Sequence, residues 1–412
     1  MLSRRSFLGC SVQLLASTHG YRKASEANAW YGIPIRQATR PSTRISVRDC
    51  GARGDGATDD TTAFNRAVAS LPTAGGVVDV PDGTYQIDPT RSIHLRSGVC
   101  LQMSDGASLR AVATASPRSA VVFISGEDVQ VVGGTILGER AQHRGRDGEW
   151  GMGIEVRSAS VALIDGVKVR DCWGDGIYIG ALPTGVDRES RNVTLRNCHM
   201  ENNRRQGLSI TGAIDVQVEA CSFVGTHGTA PQCGIDLEPN GALRVREVRI
   251  LRCQATGNAG SGIALSGPNS NSVENVTLTG NTCSGNRQHG IELSQVRSVS
   301  VTGNFIEDNG QNGIDTYRDI RDVEIRSNRI GRNSASAPLR YDNIVLRRRS
   351  SNNVIAENEF TGSTAGSGSP RYDIRIATSD CVGNQLLRNH LRKLDPWSPV
   401  LDNGSLTRIV SR

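Results

Sequence analysis

The chain repeats itself. Five segments between 192 and 309 (VTLRNCHM, VQVEACSF, VRILRCQA, VTLTGNTC and VSVTGNFI) align with Cys198, Cys221, Cys253, Asn281 and Asn304 in one column, at steps of 23, 32, 28 and 23 residues. Apolar residues precede this column at alternate positions, Val193 and Leu195 in the first copy, and one follows two residues on (Met200, Phe223, Ala255, Cys283, Ile306). A second column opens GLSI, GIDL, GIAL, GIEL and GIDT at Gly207, Gly234, Gly262, Gly290 and Gly313. Each copy therefore holds two short alternating strands between Gly and Asn turns, and no copy can bury its apolar face alone. A period in the twenties without helix predicts an all-β solenoid, a parallel β-helix whose rungs stack ~4.8 Å apart. Asn328, Asn358 and Asn389 extend the first column downstream, and Cys172 and Gly134 extend it upstream. The second runs from Gly153 through Gly176 to Asn343 and Asp373.

A solenoid grows in one dimension, so 412 residues need not divide into several domains. The expected layout is a leader at 1–29, a linker at 30–44, one β-helix over 45–395 and a C-terminal tail at 396–412. Ser3-Arg4-Arg5-Ser6-Phe7-Leu8 has the form of a twin-arginine signal, with Ala27-Asn28-Ala29 as a small-residue cleavage site, predicting export to the periplasm or the exterior. Without 1–29, the 47 basic residues lose four and the 41 acidic residues lose one, so +6 falls to +3 and nothing points to nucleic acid. No apolar run reaches the ~18 residues of a membrane span. Arginine dominates the basic residues, lysine standing only at 23, 168 and 393, which favours planar contacts to carboxylates. Ten cysteines in an exported chain suggest disulfides. Cys172, Cys198, Cys221 and Cys253, however, share one column on consecutive rungs and are expected as free, stacked thiols without a structural metal.

Upstream, a strand at 45–47 runs into a Gly/Asp turn, and Asp59 or Asp60 can cap a helix over about 60–70 whose apolar face holds Ala63, Phe64, Ala67 and Val68. Such a helix would cover the open end of the solenoid. The run Gly51-Ala52-Arg53-Gly54-Asp55-Gly56, Thr58-Asp59-Asp60-Thr61 and then Pro81-Asp82-Gly83-Thr84-Tyr85 closely resembles the N-terminal motif of the pectate lyase-like superfamily. That resemblance, which with the rungs covers about 45–395, implies a right-handed parallel β-helix and, commonly, an enzyme acting on polysaccharide. Within it, Trp173-Gly174-Asp175-Gly176-Ile177 and Gln288-His289-Gly290-Ile291 are similar to two polygalacturonase-type signatures, and Arg318-Asp319-Ile320 echoes a third. Arg205-Gln206-Gly207 stands where that type carries Asp-Asp.

In G-I-x-L the Ile and Leu point inward and x points out. Down the stack x is Glu155, Tyr178, Ser209, Asp236, Ala264, Glu292 and Asp315. The matching column of the V-x-V strands reads Lys168, Thr194, Gln217, Arg249, Thr277, Ser300 and Glu324, an ordinary solvated face. Insertions at 138–152, 181–191, 226–232 and 241–246 flank the G-I-x-L strands and are expected to wall a groove. Paired carboxylates suit glycosidic hydrolysis. Asp236 is the expected general acid, its neighbours Glu238 and Glu292 disfavouring a second charge, with Glu238 or Asp175 directing water. His289 and Tyr178 would orient a polysaccharide or oligosaccharide, Asp315, Tyr317, Arg318 and Glu155 would line its path, and Trp150 or Trp173 would give a stacking platform. No cofactor is expected for hydrolysis. Two other classes fit the same residues. One is a lyase or C5-epimerase of a uronic acid polymer, using Tyr178, His289, Tyr317 or Arg318 and a Ca²⁺ ion held by the acids. The other is a non-catalytic carbohydrate-binding solenoid.

Overall fold

The computed structural model describes residues 43–184, 188–362, 366, 368–393 and 398–410. The leader and nearly all of the linker lie outside them. Within the described residues the chain winds as a parallel β-helix with three strand stacks, one more than the two strands per copy read from sequence. In one rung, Ile235–Leu237 starts the turn, Val245–Leu251 follows, and Gln254–Thr256 closes it. Each pairs in parallel with its counterpart one rung on: Ile235 with Ile263, Val248 with Val276, Ala255 with Cys283. The first two stacks form a 24-stranded sheet and the third a 12-stranded sheet. Parallel crossovers on L-amino-acid strands wind to the right, and the solenoid is right-handed.

Alternation supplies the core. Val, Ile and Leu at every second position point inward and are fully buried, as are Ile235, Leu237, Val248 and Ile250 in that rung. β-branched side chains suit this pleated, half-buried setting.

The turns follow a rule hidden in the sequence. Before each residue of the first column stands one with positive φ: Asn197 (54°), Ala220 (51°), Arg252 (51°), Gly280 (65°), Gly303 (66°) and Ser327 (53°). That left-handed residue bends the chain and turns the next side chain inward, where only a group that bonds backbone can stay without penalty. Asn304 shows how. Its Nδ2 donates to Leu278 O (2.9 Å) and Asn328 Oδ1 (2.9 Å), while its Oδ1 accepts Asn281 N–H (2.8 Å) and Asn281 Nδ2 (3.0 Å). A second ladder at the following turn runs through Asn258, Asn286, Asn309 and Asn333 by the same bonds.

Cys172 belongs to this second ladder, not the first. It follows Asp171 (φ 58°), and its N–H donates to Asn203 Oδ1 (3.0 Å). The true thiol stack is therefore Cys198, Cys221 and Cys253, all buried and free. Lys168 is likewise displaced: it pairs with His199 in the third stack, and Leu163 pairs with Thr194 in the V-x-V column.

Helix α1, Thr61–Ser70, buries Ala63, Phe64, Ala67 and Val68, with the Phe64 ring edge-on to Tyr85 at 5.3 Å. The Asp59 carboxylate takes Thr61 N–H (3.0 Å) at its start. Asp60, at the N-cap position, makes no cap bond; its carboxylate takes the N–H groups of Arg53 (2.7 Å) and Gly54 (3.0 Å), holding the Gly/Asp turn. At the other end, Val400–Asp402 and Arg408–Val410 pair with Ile374–Ile376 and Gln385–Leu387. The stretch expected as a tail thus carries the ladder on. No helix among the described residues is long and apolar enough to cross a membrane.

Candidate functional site

The x column is continuous: Glu155, Tyr178, Ser209, Asp236, Ala264, Glu292, Asp315, Val345 and Arg375 pair in order along the first stack. It does not face open water. Glu155, Tyr178, Ser209, Asp236 and Asp315 are buried, and Glu292 is half-buried. A second column, three residues earlier in each rung, lies against it: Asp175, Gln206, Cys233, Ser261, His289, Asn312 and Asp342. Five of the x residues meet the member of this column one rung above them. Ser209 Oγ donates to Asp175 Oδ2 (2.7 Å), Gln206 Nε2 to Asp236 Oδ2 (2.6 Å), and Ser261 Oγ to Glu292 Oε2 (3.0 Å). His289 Nε2 stands 3.6 Å from Asp315 Oδ2, and Arg375 Nε pairs with Asp342 Oδ2 at 2.5 Å. Cys233 and Ala264 are the apolar gap in this diagonal.

Two centres emerge. In the first, Arg205 bridges acids, its Nη1 lying 3.2 Å from Asp175 Oδ2 and its Nε 3.8 Å from Glu149 Oε2. Asp175 is fully buried, and burial pushes its carboxyl up to about 6 against the pull of Arg205. Asp236, only 3% exposed, is held well above the usual carboxylate range, by burial first and by the charge of Glu238 second. Glu238 itself is exposed and follows the strand Ile235–Leu237, but its N–H still donates to Ile210 O (3.0 Å), so the chain remains extended there. Side chains two apart on an extended chain share a face ~7 Å apart.

In the second centre, His289 Nδ1 accepts the Asn312 N–H (3.2 Å), so the neutral ring carries its proton on Nε2, towards Asp315. Burial lowers the imidazole to about 4 and raises Asp315 to about 6, the latter opposed by Arg347, whose Nε lies 3.1 Å from Asp315 Oδ1. Tyr317 is 42% exposed on the outer edge beside this centre.

Other expected contacts are occupied. Glu155 is tied to Arg118 (2.8 Å) and Arg157 (2.5 Å), and the Tyr178 hydroxyl to Thr211 Oγ1 (2.6 Å) with Arg157 over its ring at 4.5 Å. Trp173 is no open platform: the His143 ring stacks on it at 3.9 Å and Arg204 lies over it at 3.7 Å. That sandwich anchors the 138–152 insertion, where His143 Nδ1 bonds Glu139 Oε1 (2.6 Å). Trp150, 42% exposed, keeps a free face. Sequence reasoning missed Arg205, Gln206, Asp342 and Arg347 as members of the site. The mostly polar residues three before each x were the available signal.

A right-handed parallel β-helix with an N-terminal cap and a polar ladder on one outer stack is the architecture of the pectate lyase-like superfamily. Within it, the chain belongs to the family described as periplasmic copper-binding protein (NosD), whose model matches residues 82–370. It is 34% identical over 222 residues to the uncharacterized protein YclG of Bacillus subtilis, covering 48% of this chain and 38% of that protein. It is 29% identical over 166 residues to the mannuronan C5-epimerase AlgE3 of Azotobacter vinelandii, covering 40% of this chain and 8% of the epimerase. The chain thus spans well under two thirds of these relatives. Among solved structures, the A-module of the mannuronan C-5 epimerase AlgE6 of Azotobacter vinelandii superposes with a TM-score of 0.72 at 20% identity, over 89% of this chain and all of that module.

The family description raises copper. Copper favours thiolate, thioether and imidazole ligands. Here the thiols are kept protonated: Cys198 and Cys221 donate to Arg196 O (3.2 Å) and Glu219 O (3.3 Å), and the neighbouring Cys221 thiol, together with burial, pushes Cys198 well up. Among the described residues no three His, Cys, Asp or Glu side chains converge as a metal site. The described residues do not fit a copper centre.

Proposed function

We propose that the groove on the G-I-x-L face binds a polysaccharide and hydrolyses it with Asp236 as general acid and Glu238 as the carboxylate that directs water. The observation that carries this reading is the pairing of a carboxyl that burial raises well above its ordinary range with an exposed carboxylate two residues along the chain. Their ~7 Å separation falls in the range that leaves room for an attacking water, the inverting arrangement. Gln206 fixes the Asp236 carboxyl, and Asp175 with Arg205 holds the neighbouring rung. The β-helix similarity to mannuronan C5-epimerases supports a saccharide polymer as the ligand. The leader-like first residues and the family's periplasmic description support action outside the cytoplasm.

A second reading, uronate lyase or C5-epimerase, is favoured by one observation: His289 is neutral and sits with Arg347 and exposed Tyr317, a base beside a carboxylate-neutralising cation. A panel of polysaccharides, assayed for new reducing ends and for ultraviolet absorbance of an unsaturated product, with and without EDTA, separates the two. Hydrolysis yields reducing ends alone and persists in EDTA; reducing ends together with absorbance identify a lyase, and neither signal leaves an epimerase or a non-catalytic binder. Asp236→Asn and Glu238→Gln should each lower turnover ~10²–10⁴-fold with native circular dichroism. Wild-type turnover in both refutes the assignment.

A further inference from the structure

Six arginines of the C-terminal rungs divide into two groups. Arg347, Arg349, Arg371 and Arg375 are each tied to a carboxylate: Asp315, Asp319, Asp342 and Asp342 respectively. Arg318 and Arg348 are exposed and, among the described residues, have no carboxylate within ion-pair distance. Asp319, the acid beside them, is already engaged by both prongs of Arg349 (2.7 and 2.5 Å). Instead, the two guanidiniums lie against one ring, Arg348 at 5.2 Å and Arg318 at 6.0 Å from the centre of Tyr317.

That ring is presented by a break in the ladder. Leu293 pairs with Thr316 and Ser294 with Arg318, which leaves Tyr317 as the extra residue of a bulge. A bulge re-aims a side chain at the cost of a ladder bond, and here it turns a large aromatic towards solvent. The platform lies on the Asp315 rung, three rungs from Asp236 by way of Ala264 and Glu292, or ~14 Å from the stacking distance.

From this arrangement we infer that Tyr317, Arg318 and Arg348 form a binding subsite for an anionic sugar unit of a glycan chain running along the stack. Tyr317 takes the apolar face of the sugar ring, and the guanidiniums take its carboxylate or sulfate through charge-assisted hydrogen bonds. The inference rests on the polysaccharide reading and adds the charge of the substrate and the end of the groove that senses it. Arg318 and Arg348, which share the Tyr317 ring and, among the described residues, have no carboxylate within ion-pair distance, are the groups available to that anion.

Isothermal titration of the full chain against a polyuronate, a sulfated glycan, a neutral glucan and a polynucleotide tests it. The variants are Tyr317→Ala, the double change Arg318→Glu/Arg348→Glu, and the milder Arg318→Gln/Arg348→Gln, each checked by circular dichroism. Wild type should bind an anionic glycan, carboxylated or sulfated, in preference to neutral glucan and polynucleotide. The arginine variants should weaken that binding at least about tenfold, the scale of one charge-assisted hydrogen bond, and Tyr317→Ala should weaken it several-fold. Unchanged affinity in both arginine variants overturns the subsite, as does equal binding of neutral glucan or polynucleotide by wild type. The two readings fail separately. Turnover of a neutral polymer that needs Asp236 removes the subsite and leaves the catalytic reading. Full turnover of an anionic polymer by Asp236→Asn, with binding lost in the arginine variants, does the reverse.

Discussion

Asp175→Asn gives a direct measure of how the first centre treats charge. The Asp175 carboxyl sits at about 6 in the folded protein against an ordinary 3.8, because it is fully buried and Arg205 offsets only part of that cost. A folded-state value above the unfolded one means that the native state holds its proton longer. The stabilisation is complete below pH 3.8 and is lost as pH rises through 6. For a group moving from 3.8 to about 6, linkage gives a loss of about 1 kcal/mol at pH 4.5 and about 3 kcal/mol at pH 7.5. Asparagine cannot titrate and should not show this loss. Its substitution carries a constant cost, since Arg205 loses the Asp175 charge and keeps Glu149 at 3.8 Å as its one ion-pair partner among the described residues, but a constant cancels from the slope. Urea unfolding of wild type and Asp175→Asn from pH 4.5 to 7.5 should therefore show the difference shifting by about 2 kcal/mol in favour of the variant. A difference that stays flat across this range, or moves the other way, refutes the claim that burial outweighs Arg205.

The turn ladders and the thiol stack make further predictions. Asn304→Ala deletes the side chain that serves Leu278 O, Asn281 N–H, Asn281 Nδ2 and Asn328 Oδ1. With buried groups left unpaired at 1–3 kcal/mol apiece, destabilisation of about 3 kcal/mol is expected in urea unfolding; a loss under about 1 kcal/mol would show that water or backbone shifts replace those bonds. Cys198, Cys221 and Cys253 should be unreactive in the native protein, Cys221 being pushed up to about 12, and should all titrate with a thiol reagent after unfolding without reductant. Thiols that appear only after reduction would contradict the free stack.

The repeating part of the molecule was readable because it depends on neighbours along the chain. Alternation defined which of Ile235, Asp236 and Leu237 point inward, and the Asn and Gly columns marked the turns. The same logic broke where rung length changed. Two turns of one rung both end in a left-handed residue followed by a buried polar or thiol group, so Cys172, after Asp171, was indistinguishable by pattern from Cys198, after Asn197. Only the register showed that it answers to Asn203.

Sequence alone determined that this chain stacks short strands into a β-helix, because that outcome needs only period, alternation and turn residues. Tertiary structure decided what the outer face does. Asp175 meets Ser209 across 34 residues, and Gln206 meets Asp236 across 30, with insertions of differing length between them. Those pairings set burial, and burial raises the carboxyls of Asp175 and Asp236 above their ordinary range. A residue's direction on a strand is local and can be read from alternation. Its dielectric surroundings are assembled from other rungs and loops, and so exist only once the solenoid has wound.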